Sequence, residues 1–124
     1  STQSRSSAAS DVYKRQLIDS AKDYVHRNYR SVDLGLDDTC KELGVSNSCF
    51  SSLFKKETGS SFVEYLTDYR MDKAARMLVE TDDKSYVIAQ NVGYADPNYF
   101  SYVFKRKYGV SPSRYRTEYE KNKV

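Results

Sequence analysis

Apolar side chains recur at helical spacing along most of the chain. Leu17, Ala21 and Val25 follow one another at four-residue steps, and charged residues fill many of the positions between them. This period places the apolar side chains on one face of a helix. No segment has the sustained alternation of apolar and polar residues that a half-buried strand requires. The pattern therefore predicts an all-α chain.

Glycine, proline and capping residues mark the ends of the predicted helices. Four glycines follow apolar-periodic stretches, where a left-handed cap would end a helix: Gly44, Gly59, Gly93 and Gly109. Asp96-Pro97 and Ser111-Pro112 are each typical of an N-cap followed by proline in the first turn. About seven helices result, at residues 11–29, 36–43, 47–58, 61–81, 85–92, 97–108 and 112–121.

The opening segment differs from the rest of the chain. Residues 1–10 are rich in serine and have no apolar periodicity, which is typical of a disordered leader or linker. The predicted domain is 11–124. A long helix at 61–81 divides it into a first subdomain, 11–60, and a second subdomain, 82–124.

Residues 47–65 repeat as residues 97–115. A shift of 50 superimposes seven identical residues of nineteen: Phe50/Phe100, Ser51/Ser101, Phe54/Phe104, Lys55/Lys105, Gly59/Gly109, Ser61/Ser111 and Tyr65/Tyr115. Just upstream the shift becomes 49 and pairs Gly44 with Gly93. Each copy has a short helix, a glycine turn and a capped helix with aromatic residues. That is the helix-turn-helix arrangement, whose second helix enters the DNA major groove.

Positive charge is concentrated near the end of the chain. The net charge of +3 combines −2 over residues 1–96 with +5 over residues 97–124. Five cations and no anion lie between Pro97 and Thr117: Lys105, Arg106, Lys107, Arg114 and Arg116. A local basic segment is typical of a protein that binds a polyanion, although an ordinary solvated surface has the same composition.

Other classes of function have little support. One histidine and two cysteines, without a C-x-x-C or H-E-x-x-H motif, exclude a structural zinc site, and no metal or cofactor is expected. No nucleophile–base pair or phosphate-binding loop indicates an enzyme. No apolar run approaches the ~20 residues of a membrane-spanning helix, so no membrane partner is expected.

Three motifs occur in order in the second half: I-A-x-x-V-G-Y, Y-F-x-x-x-F-K and G-V-S-P-x-x-Y-R. The first half has a related stretch, KELGVSNSCFSSLFKKETGSSFVEYLTDYRMDKAARML. Over residues 13–117 the chain resembles the DNA-binding domain of AraC/XylS-type bacterial transcription regulators. The resemblance implies two homeodomain-like helix-turn-helix subdomains joined by a long helix.

Partners also follow from this resemblance. It implies double-stranded DNA and RNA polymerase as partners, a cytoplasmic, nucleoid-associated location, and a sensor or receiver domain outside this chain. A central helix of some 20 residues spans ~30 Å, close to the ~34–36 Å between successive major-groove faces. We therefore expect it to space two recognition helices about one DNA turn apart. A binder without sequence preference, such as an architectural protein, is the alternative.

The resemblance also indicates which side chains meet DNA. The family's base-reading positions match Ser48, Ser51, Ser52, Asn98, Ser101 and Tyr102. None is Arg or Gln, so bidentate contact of arginine with guanine cannot be made there, and weak discrimination is expected from the first copy. Asn98 can pair with adenine, and Tyr102 can contact a thymine methyl or a phosphate. Phosphate contacts are expected from Lys55, Lys105, Arg106 and Arg116.

Three further residues are expected to affect the fold. Arg70 matches the arginine of the family's Y-L-x-x-x-R stretch, and we expect it to form an ion pair within the protein rather than to contact DNA. Thr39 and Ser85 stand where the family has aliphatic residues. Their polarity is expected to weaken the small cores, the first subdomain more than the second.

Overall fold

A computed structural model describes the backbone of residues 2–122 and the side chains of residues 11–122. Within that range the chain forms seven helices and no strand: α1 (Thr2–Asn28), α2 (Leu36–Leu43), α3 (Asn47–Thr58), α4 (Phe62–Glu80), α5 (Ser85–Asn91), α6 (Pro97–Tyr108) and α7 (Pro112–Asn122). The all-α prediction is confirmed. Except for the start of α1, each helix begins and ends within one residue of its predicted bounds.

The start of α1 differs from the prediction. α1 begins at Thr2, so the backbone of residues 2–10 is helical where a disordered leader was expected. This segment contains two alanines and neither glycine nor proline, so nothing in it interrupts a helix that continues from Asp11. The side chains of residues 1–10 lie outside the described part of the structure. Their exclusion from the packed domain stays a prediction.

Several helices are capped by glycine, serine or aspartate residues at their ends. The four glycines predicted to end or follow helices have positive φ angles, between 71° and 94°. Ser46 accepts a hydrogen bond from the backbone of Cys49 at the start of α3. At the start of α6, the carboxylate of Asp96 accepts from the backbone of Asn98 at 2.9 Å. These caps fix where α3 and α6 begin, and therefore which residues each helix turns outward.

The chain forms two compact units. The first consists of residues 1–28 and 34–65, and the second of residues 29–33 and 66–124. The division lies within α4, so this helix contributes its first turn to the first unit and the remainder to the second. Beyond that first turn α4 is a core element of the second unit, since Met71 and Ala74 are fully buried. Its role as a spacer between the two recognition helices stays a prediction.

Each unit has its own core. In the first unit, Phe50, Phe54 and Phe62 are buried, and their ring centroids lie 5.5–5.7 Å apart. The core of the second unit contains Met71, Ala74, Ala75, Leu78, Ile88, Ala89, Val92, Tyr94, Phe100 and Phe104. Aromatic rings at matching positions of α3 and α6 thus hold both second helices on their cores. Edge-to-face and tilted contacts of this kind add to the area they bury.

The sequence repeat is also a repeat of burial. Residues 51–60 and 101–110 have the same order of buried, half-buried and exposed positions. Phe54 and Phe104 are completely buried, while Lys55 and Lys105, the next residues, are exposed. The two copies therefore present equivalent positions on their outer surfaces.

Candidate nucleic-acid interface

The exposed side of α3 carries the first predicted set of base-reading residues. Ser48 and Ser52 are exposed and Ser51 is half-buried. Phe50 and Phe54 lie on the opposite side, in the core. The structure thus brings the three serines together on one surface of the helix, where short hydroxyl side chains can meet base edges. Their contact with DNA stays a prediction.

The exposed side of α6 carries the second set. Asn98 and Tyr102 are exposed, and Ser101 is half-buried. The 58% exposure of Tyr102 leaves most of this large side chain accessible. At these positions α6 carries an amide, a hydroxyl and a phenol ring, whereas α3 carries three hydroxyls. The two helices are therefore equivalent in position but not in chemistry.

Three of the four residues predicted to contact phosphate have exposed side chains on these surfaces. Lys55, Lys105 and Arg106 are exposed. Among residues 11–122, none of the three has a carboxylate partner. The guanidinium carbon of Arg106 lies 5.8 Å from the centre of the Tyr102 ring, at the distance of a cation–π contact. These cations remain accessible to a polyanion.

The fourth, Arg116, has an internal role. Its Nε donates to the carbonyl of Leu78 at 2.7 Å, and its Nη2 donates to the carbonyls of Thr81 and Asp83 at 3.1 and 2.6 Å. Carbonyls at a helix end have no partner within the helix, so Arg116 closes the end of α4 and the loop after it. We therefore assign Arg116 to the fold and leave it out of the phosphate contacts. The sequence signal that could have indicated this role is that no glycine follows α4 to cap its end.

Lys107, another cation of the basic segment, is also bound within the protein. Its ammonium lies 2.9 Å from a carboxylate oxygen of Asp72 and 3.5 Å from one of Asp68. The hydroxyl of Tyr108 donates to the same oxygen of Asp72 at 2.7 Å. We call Asp72, Lys107 and Tyr108 the α4–α6 clamp, because it ties the end of α6 to α4. In the first copy, Glu57 and Thr58 occupy the positions of Lys107 and Tyr108.

The clamp shifts the pKa of two of its groups. Burial raises the pKa of the Asp72 carboxyl, but the hydrogen bonds from Lys107 and Tyr108 outweigh it, and the net result is a lowered pKa. Burial and the bond to Asp72 together raise the pKa of the Tyr108 hydroxyl. Asp72 is thus held as the carboxylate and Tyr108 as the hydrogen-bond donor, the pairing that the geometry requires.

Arg70 lies buried beneath the turn that precedes α6. It is only 7% exposed, and its guanidinium donates to the backbone carbonyls of Tyr29 at 3.1 Å and Ser31 at 2.7 Å. It also lies 5.4 Å from the ring centre of Tyr94. Burial lowers the pKa of this guanidinium. The internal role predicted for Arg70 is correct, but the predicted ion pair is wrong: in the described structure its hydrogen-bond partners are backbone carbonyls and the hydroxyl of Tyr94, and none is a carboxylate.

Gly93 allows Arg70 and the turn to pack closely. Its φ is 94°, which side chains rarely adopt, and an added Cβ would lie 2.5 Å from the carbonyl oxygen of Tyr29 and 2.9 Å from the guanidinium carbon of Arg70. The paired glycine, Gly44, also has a positive φ of 71°, but no atom lies within 4 Å of its added Cβ. The turn before α6 is therefore constrained by packing as well as by backbone conformation.

The two unusual polar residues differ in their surroundings. Thr39 is completely buried, and its hydroxyl has no hydrogen-bond partner among the described residues. The repeat places Ile88 at the matching position of the second unit, where it is also completely buried. Ser85 is half-buried at the first residue of α5. The polar replacement in a closed core is therefore at Thr39.

Tyr99 is a surface residue that the sequence analysis missed. Its side chain is 56% exposed and its ring centre lies 6.4 Å from that of Tyr102, one helical turn away, at an interplanar angle of 25°. On its other side, its ring lies 5.9 Å from that of the buried Tyr94. The spacing of tyrosines at positions three apart on a predicted helix was the available signal.

Neither a metal-binding cluster nor a membrane-spanning helix occurs among the described residues. Across residues 11–122, no three histidine, cysteine, aspartate or glutamate side chains come together to hold a metal ion. Over the same part of the chain, no helix is both long and apolar enough to cross a bilayer.

Known proteins share this sequence and fold. A family model described as a helix-turn-helix domain matches residues 39–118. The chain is 35% identical over 105 residues to the lactose operon transcription activator of Staphylococcus xylosus, a match that covers 85% of this chain and 37% of the activator. The C-terminal domain of AraT, a response regulator from Geobacillus stearothermophilus, is 38% identical with a TM-score of 0.81, over 82% of this chain and 84% of that one.

A more distant structure has the same fold. It is a transcriptional regulator of the AraC-type DNA-binding class from Chromobacterium violaceum, with 21% identity, a TM-score of 0.76 and coverage of 86% of this chain and 95% of that one. The chain belongs to the AraC-type helix-turn-helix family. Members of this family are DNA-binding transcription regulators, so DNA binding is the function of this domain. Within the AraC-type domain, α3 and α6 are the second helices of the two helix-turn-helix units.

The match covers only part of the longer relatives. The chain spans well under half the length of the first curated relatives that it matches. Family membership therefore describes the DNA-binding domain, and the activity of a complete regulator is a separate matter.

Proposed function

We propose that this domain binds double-stranded DNA sequence-specifically, with α3 and α6 in successive major grooves. The observation that carries the proposal is the repeated surface. In both units, polar side chains at matching positions of α3 and α6 face outward, opposite two buried phenylalanines. An exposed lysine follows the second phenylalanine in each helix, at Lys55 and Lys105. This combination supplies base-edge contacts and phosphate contacts on the same side of each helix.

The two half-sites are expected to be read unequally. α6 presents Asn98 and Tyr102, whose amide and ring can distinguish bases, whereas α3 presents three serines that both donate and accept hydrogen bonds. We therefore expect stronger sequence preference in the half-site that α6 contacts.

In the complete protein we propose that this domain directs a transcription regulator to its promoters, where the regulator acts with RNA polymerase in the bacterial cytoplasm. The similar domain of AraT is the C-terminal part of a response regulator. A sensor or receiver domain joined to this chain would fit the share of the longer relatives that the chain leaves unmatched.

Selection of binding sites from random duplexes, followed by footprinting, tests the proposal. We expect one recovered motif, protection of two adjacent major-groove segments, and affinity that falls with salt by about 0.9 logarithmic units per phosphate contact. Typical specific binders of this kind prefer their site by about a thousandfold or more.

The architectural alternative predicts a different result. Equal binding to selected and scrambled duplexes, with the same salt dependence, would replace sequence-specific recognition by binding without sequence preference.

A further inference from the structure

A series of aromatic and cationic contacts runs from the core of the second unit to the surface of α6. It begins with Arg70 at the ring of buried Tyr94, continues through Tyr99 to Tyr102, and ends with Arg106 at the Tyr102 ring. Successive ring centres are 5.9 and 6.4 Å apart, within the range of favourable aromatic pairs. We call these five residues the tyrosine ladder.

The ladder restrains a side chain that would otherwise be mobile. Tyr102 is 58% exposed, yet along the helix it has Tyr99 one turn before it and Arg106 one turn after it. Contacts on both sides limit the rotation of its ring, while more than half of the side chain remains exposed. Restraint of this kind reduces the side-chain entropy that binding would otherwise cost.

The first unit has no equivalent. The repeat places Cys49 at the position of Tyr99, Ser52 at that of Tyr102 and Lys56 at that of Arg106. The residue that matches Tyr94 is Val45. The ladder is therefore an addition to α6 that the common helix-turn-helix architecture does not require.

We propose that Tyr99 is a positioning residue for recognition: it holds the Tyr102 ring against the C5 methyl group of one thymine in the half-site of α6. This inference rests on the proposed function, in which α6 lies in the major groove. The thymine methyl is the one apolar group that a base displays there, and apolar side chains recognise it by contact.

A methyl contact fits the ladder better than a phosphate contact. A hydrogen bond from the tyrosine hydroxyl to a phosphate tolerates movement of the ring, so it gains little from a fixed ring plane. Contact between a ring and a methyl group depends on where the ring lies. Lys105 and Arg106 are exposed nearby and already provide positive charge for phosphates.

The test replaces thymines by deoxyuridines, one at a time, in a duplex recovered by selection. This change removes the methyl group and leaves the hydrogen-bonding groups of the base pair unchanged. For the parent chain we expect about fourfold weaker binding at one position of the α6 half-site, the effect of one buried methyl-sized group. Tyr102→Ala should bring this ratio to about one.

Variants of Tyr99 then test the positioning role. Tyr99→Ala and Tyr99→Leu should each bring the thymine-to-uracil ratio to about one, while Tyr99→Phe should retain the parent ratio. The salt dependence should stay the same in all three, because no charge changes. Cys49→Ala, at the matching position of α3, should leave the ratio unchanged. Tyr99 is largely exposed, and thermal unfolding of each variant verifies its fold.

The outcomes separate this inference from the function on which it rests. If selection recovers no preferred sequence, the proposed function fails and the inference fails with it. If a motif is recovered but the parent chain binds every uracil duplex as tightly as the thymine duplex, only methyl recognition is overturned. If the parent ratio persists in Tyr99→Ala and Tyr99→Leu, Tyr102 does not depend on Tyr99 and the positioning role is overturned.

Discussion

At the scale of single residues, neighbouring cations of α6 have different surroundings. Lys105 is exposed without a carboxylate partner in the described part of the chain, whereas Lys107 is held by Asp68 and Asp72. A charge count treats the two lysines alike. Their surroundings leave Lys105 accessible to DNA and hold Lys107 within the fold.

This difference can be measured. Lys105→Ala should flatten the dependence of log affinity on log salt by about one and weaken binding to all sequences alike. Lys107→Ala is the matched control: it removes the same charge two residues away, and should lower the free energy of unfolding while leaving the salt slope close to that of the parent. Fluorescence anisotropy at several salt concentrations gives both slopes. Equal flattening in the two variants would show that Lys107 also reaches phosphate.

Thr39 is the residue whose replacement should stabilise the protein. Its buried hydroxyl has no hydrogen-bond partner among the described residues, and valine has almost the same shape without the polar atom. We expect Thr39→Val to raise the free energy of unfolding by about 1–3 kcal/mol, the usual cost of an unsatisfied buried polar group. Urea denaturation measures the change.

Thr58→Val is the control for this prediction. The hydroxyl of Thr58 donates to the carbonyl of Phe54 at 2.7 Å, so its removal should destabilise the protein by about 1 kcal/mol. A loss of stability in Thr39→Val would mean that the Thr39 hydroxyl is satisfied in solution.

At the scale of elements, two helix-turn-helix turns with the same glycine differ in how closely they pack. Gly44→Ala should cost about 1–2 kcal/mol, because alanine must adopt a left-handed backbone conformation. Gly93→Ala should cost more, by a further ~1–3 kcal/mol, because its Cβ would overlap the carbonyl of Tyr29 and displace Arg70. Equal costs, compared by denaturation of the two variants, would contradict the close packing beneath this turn.

The α4–α6 clamp predicts a dependence of stability on pH. The pKa of Asp72 is lowered in the folded state, so its carboxylate stabilises the fold above its ordinary pKa. That contribution is lost as the pH falls through the lowered value. Between about pH 5 and about pH 2, the free energy of unfolding should therefore fall less steeply in Asp72→Asn than in the parent.

Asp82→Asn is a suitable control, since Asp82 is an exposed carboxylate just after α4 and no clamp residue binds it. Denaturant titrations at a series of pH values compare the variants with the parent. Parallel pH profiles for the parent and Asp72→Asn would show that Asp72 makes no net contribution through the clamp.

At the scale of the whole molecule, α4 continues without interruption from the first unit into the second. Its 19 residues correspond to about 28 Å of helix. If α3 and α6 bind successive major grooves, as proposed, the two half-sites have one required spacing. Inserting 5 or 10 base pairs between the half-sites should therefore reduce the affinity to that of a single unit.

Footprinting on the three duplexes tests this expectation without altering the protein. Under the proposal that α3 and α6 occupy successive major grooves, protection should shrink to one half-site after either insertion. Retained protection of both half-sites after the 10-base-pair insertion would contradict binding of α3 and α6 to successive major grooves.

The sequence by itself determined the features that depend on near neighbours. Helix ends followed from glycines, prolines and capping side chains within a few residues, and the faces of α3 and α6 followed from the positions of Phe50 and Phe104. The repeat then identified two equivalent second helices. The start of α1 was the exception, because composition alone does not exclude a helix that extends from a stable one.

Only the tertiary structure decided which polar groups meet each other. Lys107 and Asp72 are 35 residues apart in the chain, and Arg70 and Tyr29 are 41 apart. Arg116 was predicted to contact phosphate, but in the structure its guanidinium donates to a carbonyl at the end of α4. A periodic pattern specifies which way a side chain points from its own helix. What lies there depends on the packing of distant segments, which local periodicity does not encode.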